Sequence, residues 1–216
     1  MTDIITAGID EVGWGALSGP VISVVAVFRP LDINLLPPGV RDSKKTSDAQ
    51  RRLMYSAICA AAYDVGVGHA WPWEIDQYGP GEALQLSYKR ALDEVHPRRR
   101  PTLLYVDGVN KVKAWRGMQV VEPKADNKYR EVSAASIIAK HFRDTMMACY
   151  AKDFPGYNWE SNKGYGSPDH IEAIKKYGLL VDGKNHSRYL HRLRYCRKLI
   201  RGMQNESCGF PEDAEG

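Results

Sequence analysis

Gly8-Ile9-Asp10-Glu11-Val12-Gly13-Trp14-Gly15 decides how this chain is read. It lies between two apolar runs, Ile4 to Ile9 and Val21 to Phe28, with Gly19-Pro20 punctuating the connection. Both runs read as strands, the second a β-branched run buried on both faces. Two adjacent carboxylates where a buried strand ends must be paired, hydrogen-bonded or bound to a cation, because an isolated buried charge is very costly. The Gly-X-Gly turn that follows adopts backbone conformations other residues resist and lets a ligand approach the main chain closely. Together these features point to a cation site beside a loop that binds a polyanion. Neighbouring side chains of a strand point to opposite faces, so Asp10 and Glu11 can share a site only if the backbone bends there.

Further along, Ser47-Asp48-Ala49-Gln50 matches a capping box and opens a helix with apolar positions at Leu53, Ala57 and Ala60. Val65 to Ala70 is a short strand, and Gly79-Pro80-Gly81 leads into a helix with Leu84, Tyr88, Ala91, Leu92 and Val95 on one face. His96 to Pro101 is a loop, since its prolines exclude helix. Leu103 to Gly108 is a strand ending on an acid and a glycine, and Met118 to Val121 is a weaker one. Val132, Ala135, Ala139, Phe142 and Met146 recur at helical spacing, so a long amphipathic helix follows Asp126. Ser167-Pro168 starts another helix and Gly178 caps it; the basic stretch after Lys184 forms one more. The pattern is an α/β domain with a helical C-terminal part, spanning residues 1–201 with its helical part at 167–201. An acidic tail, 202–216, is expected to be disordered.

With 216 residues and 44% hydrophobic content the chain can bury a full core as one domain. Its formal charge of +4 is unevenly spread. Segment 184–201 carries lysines and arginines with no acid, a density that fits a phosphate-backbone contact surface and equally a solvated helix face. No apolar run is long enough for a membrane span, and Asp3 sits too early for a signal peptide, which places the expected compartment in the cytoplasm. Cys59, Cys149, Cys196 and Cys208 show no close pairing, which indicates neither a zinc site nor a disulfide framework.

Asp10, Asp107 and Asp126 each follow an apolar segment at the boundary of an element, and in α/β sheets ligands bind at strand ends. Converging carboxylates raise one another's pKa unless cations sit between them. Oxygen-only ligation suits Mg²⁺ or Mn²⁺, and two such ions about 3.5–4 Å apart can activate a water and stabilise the leaving oxygen in phosphodiester cleavage. Asp42-Ser43-Lys44-Lys45 could present ammonium groups to phosphates, and Lys163-Gly164-Tyr165-Gly166 places a tyrosine hydroxyl in a glycine turn where it could meet a sugar. His170 and His186 lack paired metal-ligand spacing and receive no role.

These residues, with Gly19-Pro20-Val21, Tyr105-Val106-Asp107-Gly108, Lys124-Ala125-Asp126, Ser133 to Lys140 and Arg143-Asp144, resemble in content and order the signature of ribonuclease HII (type 2 ribonuclease H) over roughly residues 5 to 178. The resemblance implies a ribonuclease H-like mixed β-sheet flanked by helices. It implies endonucleolytic cleavage of the RNA strand of RNA–DNA hybrids, incision at ribonucleotides embedded in duplex DNA, and products with 3′-hydroxyl and 5′-phosphate ends. The family's metal-binding carboxylates carry over to Asp10, Glu11, Asp107 and Asp126, with two Mg²⁺ or Mn²⁺ ions expected. Tyr165 takes the place of the tyrosine that senses the ribose 2′-hydroxyl, the group that distinguishes RNA from DNA. Gly13, Trp14, Gly15, Lys44 and Lys45 fall on substrate-binding positions. Asp144 reads as a helix-surface partner of Arg143. The expected partners are RNA–DNA hybrids and duplex DNA containing ribonucleotides, with no membrane association and the protein a monomer.

One position departs from the family pattern. The loop is Gly-Arg-Gly or Gly-Lys-Gly in the family and Gly13-Trp14-Gly15 here. Tryptophan offers phosphate no cationic fork, although it can stack on a base or sugar. Hybrid cleavage is therefore expected to survive while incision at a single embedded ribonucleotide is weakened. A catalytically weak hybrid-binding protein of the same fold is the competing reading, and a DNA endonuclease of that fold a third.

Overall fold

The computed structural model describes residues 4–40, 48–181 and 189–200. Lys44, Lys45, Ser47, His186, Cys208 and the tail therefore lie outside the described residues. Five strands, β1 (Thr6–Val12), β2 (Val21–Phe28), β3 (Asp64–Ala70), β4 (Leu103–Asp107) and β5 (Met118–Glu122), form one sheet in the order β3-β2-β1-β4-β5. β1 pairs antiparallel with β2 and parallel with β4, and β3 and β5 extend the two sides antiparallel and parallel. The sheet is mixed, as the sequence implies.

Helices cover both faces. α1 (Asp48–Ala61) and α4 (Arg130–Asp153) pack on one, against Ile22, Val24, Ala26 and Phe28 of β2. α3 (Pro80–Glu94) covers the other, against Ala7, Ile9, Val25, Val27, Leu104 and Val106. β2 is thus buried along its whole length, which is why its β-branched run shows no polar alternation. Strand periodicity then sets the functional side chains: with Ala7 and Ile9 towards α3, Gly8 and Asp10 must face α4 and Glu11 must face α3. Gly8 lets α4 cross β1 closely, since a Cβ there would stand 2.1 Å from the Glu131 carbonyl carbon.

The helical C-terminal part comprises α5 (Trp159–Asn162), α6 (Pro168–Tyr177) and α7 (Leu193–Ile200), around a core of Tyr157, Trp159, Ile174, Leu190 and Cys196. Asp76 of a short helix, α2 (Pro72–Tyr78), accepts the Leu193 and Arg194 amides at 2.8 and 2.7 Å and so caps α7.

Several sequence expectations are corrected. β1 does not end at Ile9: Asp10 and Glu11 lie inside it, in unbroken register with Val24 and Ser23, so the backbone does not bend between them. In α1 the expected face is the wrong one. Leu53 is exposed, and Met54, Tyr55, Ile58 and Ala61 face inward because α4 lies on that side. α2 has no counterpart in the sequence reading; at seven residues it is too short to show a period. Pro97–Arg99 makes a single 3-10 turn inside the expected loop. Arg192, in the supposedly solvent-facing basic stretch, is fully buried.

Candidate active site

Asp10 and Glu11 sit near the C-terminal end of β1, and Asp107 ends the neighbouring parallel strand β4. Asp10 is held from two sides, by Ser136 of α4 and by the Glu11 amide, which donates to its Oδ1 at 2.8 Å. On the opposite face of the strand, the Tyr88 hydroxyl of α3 donates to Glu11 Oε2 at 2.5 Å. Asp107 Oδ1 accepts the Ala125 amide at 3.0 Å. Ala125 opens the 3-10 turn that carries the buried Asp126 and leads into α4. One hydrogen bond therefore ties the acid of β4 to the turn bearing Asp126.

Burial, then the charges of Glu11 and Asp107, push the Asp10 carboxyl up to about 8. Burial and Asp107 also raise Glu11, against the opposing pull of the Tyr88 hydroxyl. Asp10 and Glu11 thus sit in an unfavourable field to which Asp107 contributes, and which a cation would relieve. Among the described residues no three His, Cys, Asp or Glu side chains are grouped closely enough to hold an ion as they stand. The fit to a metal rests on the donor set: buried, oxygen-only and anionic, the chemistry of Mg²⁺ and Mn²⁺.

The glycine loop is held from beneath by two buried arginines. Arg143 of α4 donates to the carbonyls of Ser18, Pro20 and Lys163 at 2.9, 3.1 and 2.8 Å. Its Nε lies 2.2 Å from where a Cβ of Gly13 would stand, so this positive-φ position (φ +87°) admits only glycine. Arg192 donates to the Trp14 carbonyl at 2.9 Å and twice to that of Gly19. Burial, then neighbouring Arg143, pull its guanidinium down to about 9. The Leu17 and Ser18 amides both donate to the Gly164 carbonyl, at 2.8 and 3.0 Å, and the Arg143 guanidinium lies 5.0 Å from the Tyr165 ring centre. Gly13-Trp14-Gly15 and the Tyr165 turn are therefore one assembly. The Trp14 side chain is 41% exposed above it.

The reading of Arg143 as a surface partner of Asp144 is overturned: Asp144 pairs with Lys140 at 2.8 Å, and Arg143 is buried. The signal was available, because Arg143 continues the four-residue step Ala135-Ala139 on the apolar side of α4. Tyr88, Arg192 and His170 are further residues of the site that sequence reasoning gave no part in it. Beside the assembly, a cavity of about 260 Å³ is lined by Arg51, Arg52, His141, Asp144, Glu160 and Lys163, among others.

A sequence model of the ribonuclease HII family matches residues 7–198. The chain belongs to the ribonuclease HII family. Ribonuclease HII of Roseobacter denitrificans is 39% identical over 197 residues, covering 90% of this chain and 96% of that protein. Ribonuclease H2 from Pyrococcus horikoshii OT3 superposes with a TM-score of 0.79 at 29% identity, covering 94% of this chain and all of that one. Bst-RNase HIII in complex with Mn²⁺, at 18% identity and a TM-score of 0.69, shares the fold, over 94% of this chain and 71% of that one. Ribonuclease HII enzymes are divalent-metal-dependent type 2 ribonucleases H, and this chain is an endoribonuclease acting on RNA–DNA hybrids. No helix among the described residues is long and apolar enough to cross a membrane.

Proposed function

We propose that the chain cleaves the RNA strand of a hybrid by two-metal-ion hydrolysis, leaving 3′-hydroxyl and 5′-phosphate ends. The observation that carries this is the raised Asp10 and Glu11 carboxyls beside Asp107, on adjacent parallel strand ends and tied through Ala125 to Asp126. Asp10, Glu11, Asp107 and Asp126 are the residues that would hold two Mg²⁺ or Mn²⁺ ions. When bound, such ions activate the attacking water and stabilise the leaving oxygen. The protein's own part is to fix the donors. Ser136 and the Glu11 amide orient Asp10, Tyr88 orients Glu11, and the Ala125 amide orients Asp107.

Substrate selection falls to the assembly of Gly13, Trp14, Gly15 and Tyr165, with Lys44 and Lys45 on the backbone phosphates. The open space around Gly15 permits close approach of a sugar, and Tyr165 would sense the 2′-hydroxyl. Trp14 supplies stacking area in place of a cation, so full hybrids are favoured over single ribonucleotides embedded in duplex DNA. Residues 1–201 form the catalytic domain and 202–216 a tail. The protein is proposed to act as a monomer, and the cytoplasm is the proposed compartment. Asp107→Asn tests the reading: cleavage of a labelled hybrid should disappear while affinity for it persists. Retained cleavage would refute it, and absence of cleavage by the unaltered protein would favour a hybrid-binding role.

A further inference from the structure

His170 is fully buried beneath the recognition assembly and takes no part in the chemistry above. Its ring meets three partners. Nε2 lies 3.0 Å from the Trp159 indole nitrogen and 3.2 Å from Ser18 Oγ, and Nδ1 lies 2.8 Å from the Tyr165 carbonyl oxygen. An indole N–H can only donate, so the Nε2 facing it carries no hydrogen. Nδ1 then carries the ring's proton and donates it to the Tyr165 carbonyl. The Ser18 hydroxyl is free to donate to Nε2 alongside the indole.

One neutral imidazole thus joins both halves of the assembly, the glycine loop through Ser18 and the tyrosine turn through Tyr165. The other links described between them are the backbone bonds from Leu17 and Ser18 to Gly164 and the Arg143 guanidinium, which bonds the Lys163 carbonyl and lies 5.0 Å from the Tyr165 ring centre. The Tyr165 carbonyl itself accepts Nδ1–H, beside the Ser167 amide of its own turn at 2.9 Å. We propose that His170 is a positioning residue for ribose recognition: through its Nδ1–H it sets the Tyr165 turn against the glycine loop, and so fixes where the Tyr165 hydroxyl meets the substrate sugar. This rests on reading Tyr165 as the ribose sensor.

Two substitutions separate this role from packing. His170→Asn puts an amide donor near the place of Nδ1 and keeps the bond to Tyr165, whereas His170→Gln puts an amide near the place of Nε2 and keeps only the Trp159 and Ser18 side. On an RNA–DNA hybrid, kcat should fall about tenfold in His170→Gln and clearly less in His170→Asn, which gives up the Ser18 side but keeps the bond to Tyr165, with KM little changed. In a Tyr165→Phe background the loss from His170→Gln should largely vanish, because the two residues act as a unit. Equal losses from Asn and Gln, or a Gln loss undiminished beside Tyr165→Phe, would overturn the inference. Unimpaired cleavage by Tyr165→Phe alone removes the reading of Tyr165 and the inference with it, and shows itself without any change at position 170. Should His170→Gln fail to fold, ¹⁵N shifts of the His170 ring in the unaltered protein decide the matter. The Nδ1-protonated neutral form is expected, and the Nε2-protonated form would overturn it.

Discussion

The carboxylate site and the recognition assembly adjoin each other and are built on opposite electrostatic plans. At the strand ends, Asp10 and Glu11 lie beside Asp107, where burial and neighbouring acids disfavour the charge of both. Beneath the glycine loop, Arg143 and Arg192 are equally buried, yet their donors reach backbone carbonyls of Trp14, Ser18, Gly19, Pro20 and Lys163. The first region gathers like charges that a cation would offset. In the second the guanidinium donors reach carbonyls, although burial, and for Arg192 the neighbouring Arg143, disfavours their charge as well. A metal site built on the acids would gain from their repulsion, since bound ions would relieve it. A surface that must discriminate one hydroxyl needs its geometry fixed beforehand.

Substitutions in the two regions should therefore differ in sign. The largest effect is expected from Asp10→Asn, which should lower hybrid cleavage by more than about 100-fold yet raise the melting temperature of the ion-free protein at neutral pH, since folding no longer has to protonate a carboxyl held at about 8 that the unfolded chain leaves ionised. Calorimetry in a chelator checks this, and a fall in melting temperature would break the contrast. Arg143→Met should act oppositely. It leaves three buried carbonyls without donors, at about 1–3 kcal/mol each, so denaturant unfolding should show a large loss of stability whether or not metal is present.

A smaller effect concerns acid. Burial, with nearby His170, pulls the His191 imidazole down to about 3, from an ordinary value of 6.5. The unfolded chain then binds a proton that the folded one refuses, so this group's contribution is present above about 6.5 and is lost as pH falls towards 3. His191→Asn keeps an acceptor for the Leu180 amide, which now donates to Nδ1 at 2.9 Å. It should flatten the decline in melting temperature between pH 6.5 and pH 4. The smallest effect is expected at the exposed Trp14: Trp14→Arg should raise incision at a single embedded ribonucleotide several-fold and change hybrid cleavage little. Equal single-ribonucleotide activity in both forms would mean that the backbone of this loop, fixed by Arg192, does the reading without its side chain.

Legibility in the sequence divides along the same line. The carboxylates could be found because each closes an apolar run, and strand ends are marked by local composition. The arginines misled. In the sequence Arg143 is one of many charged residues beside an acid, and its hydrogen-bonded partners lie 20 to 125 residues away. Arg192 meets Trp14 across 178 residues and stands in a basic run whose plainest reading is solvent exposure. His170 has no metal-ligand spacing to mark it, and its three partners lie on separate elements.

The sequence by itself determined the strands, the main helices and the departure at Trp14, and it marked the acids proposed for the site, since hydrophobic period, turn residues and motif order are local properties that survive without a fold. Only the tertiary structure decided that Asp10 and Glu11 face opposite sides of an unbroken strand, which face of α1 turns inward, and that two arginines and a histidine carry the recognition loop from below. These are outcomes of packing between distant segments. Whether a polar side chain meets water or a ring of backbone carbonyls depends on what lies above it, and no local pattern records that.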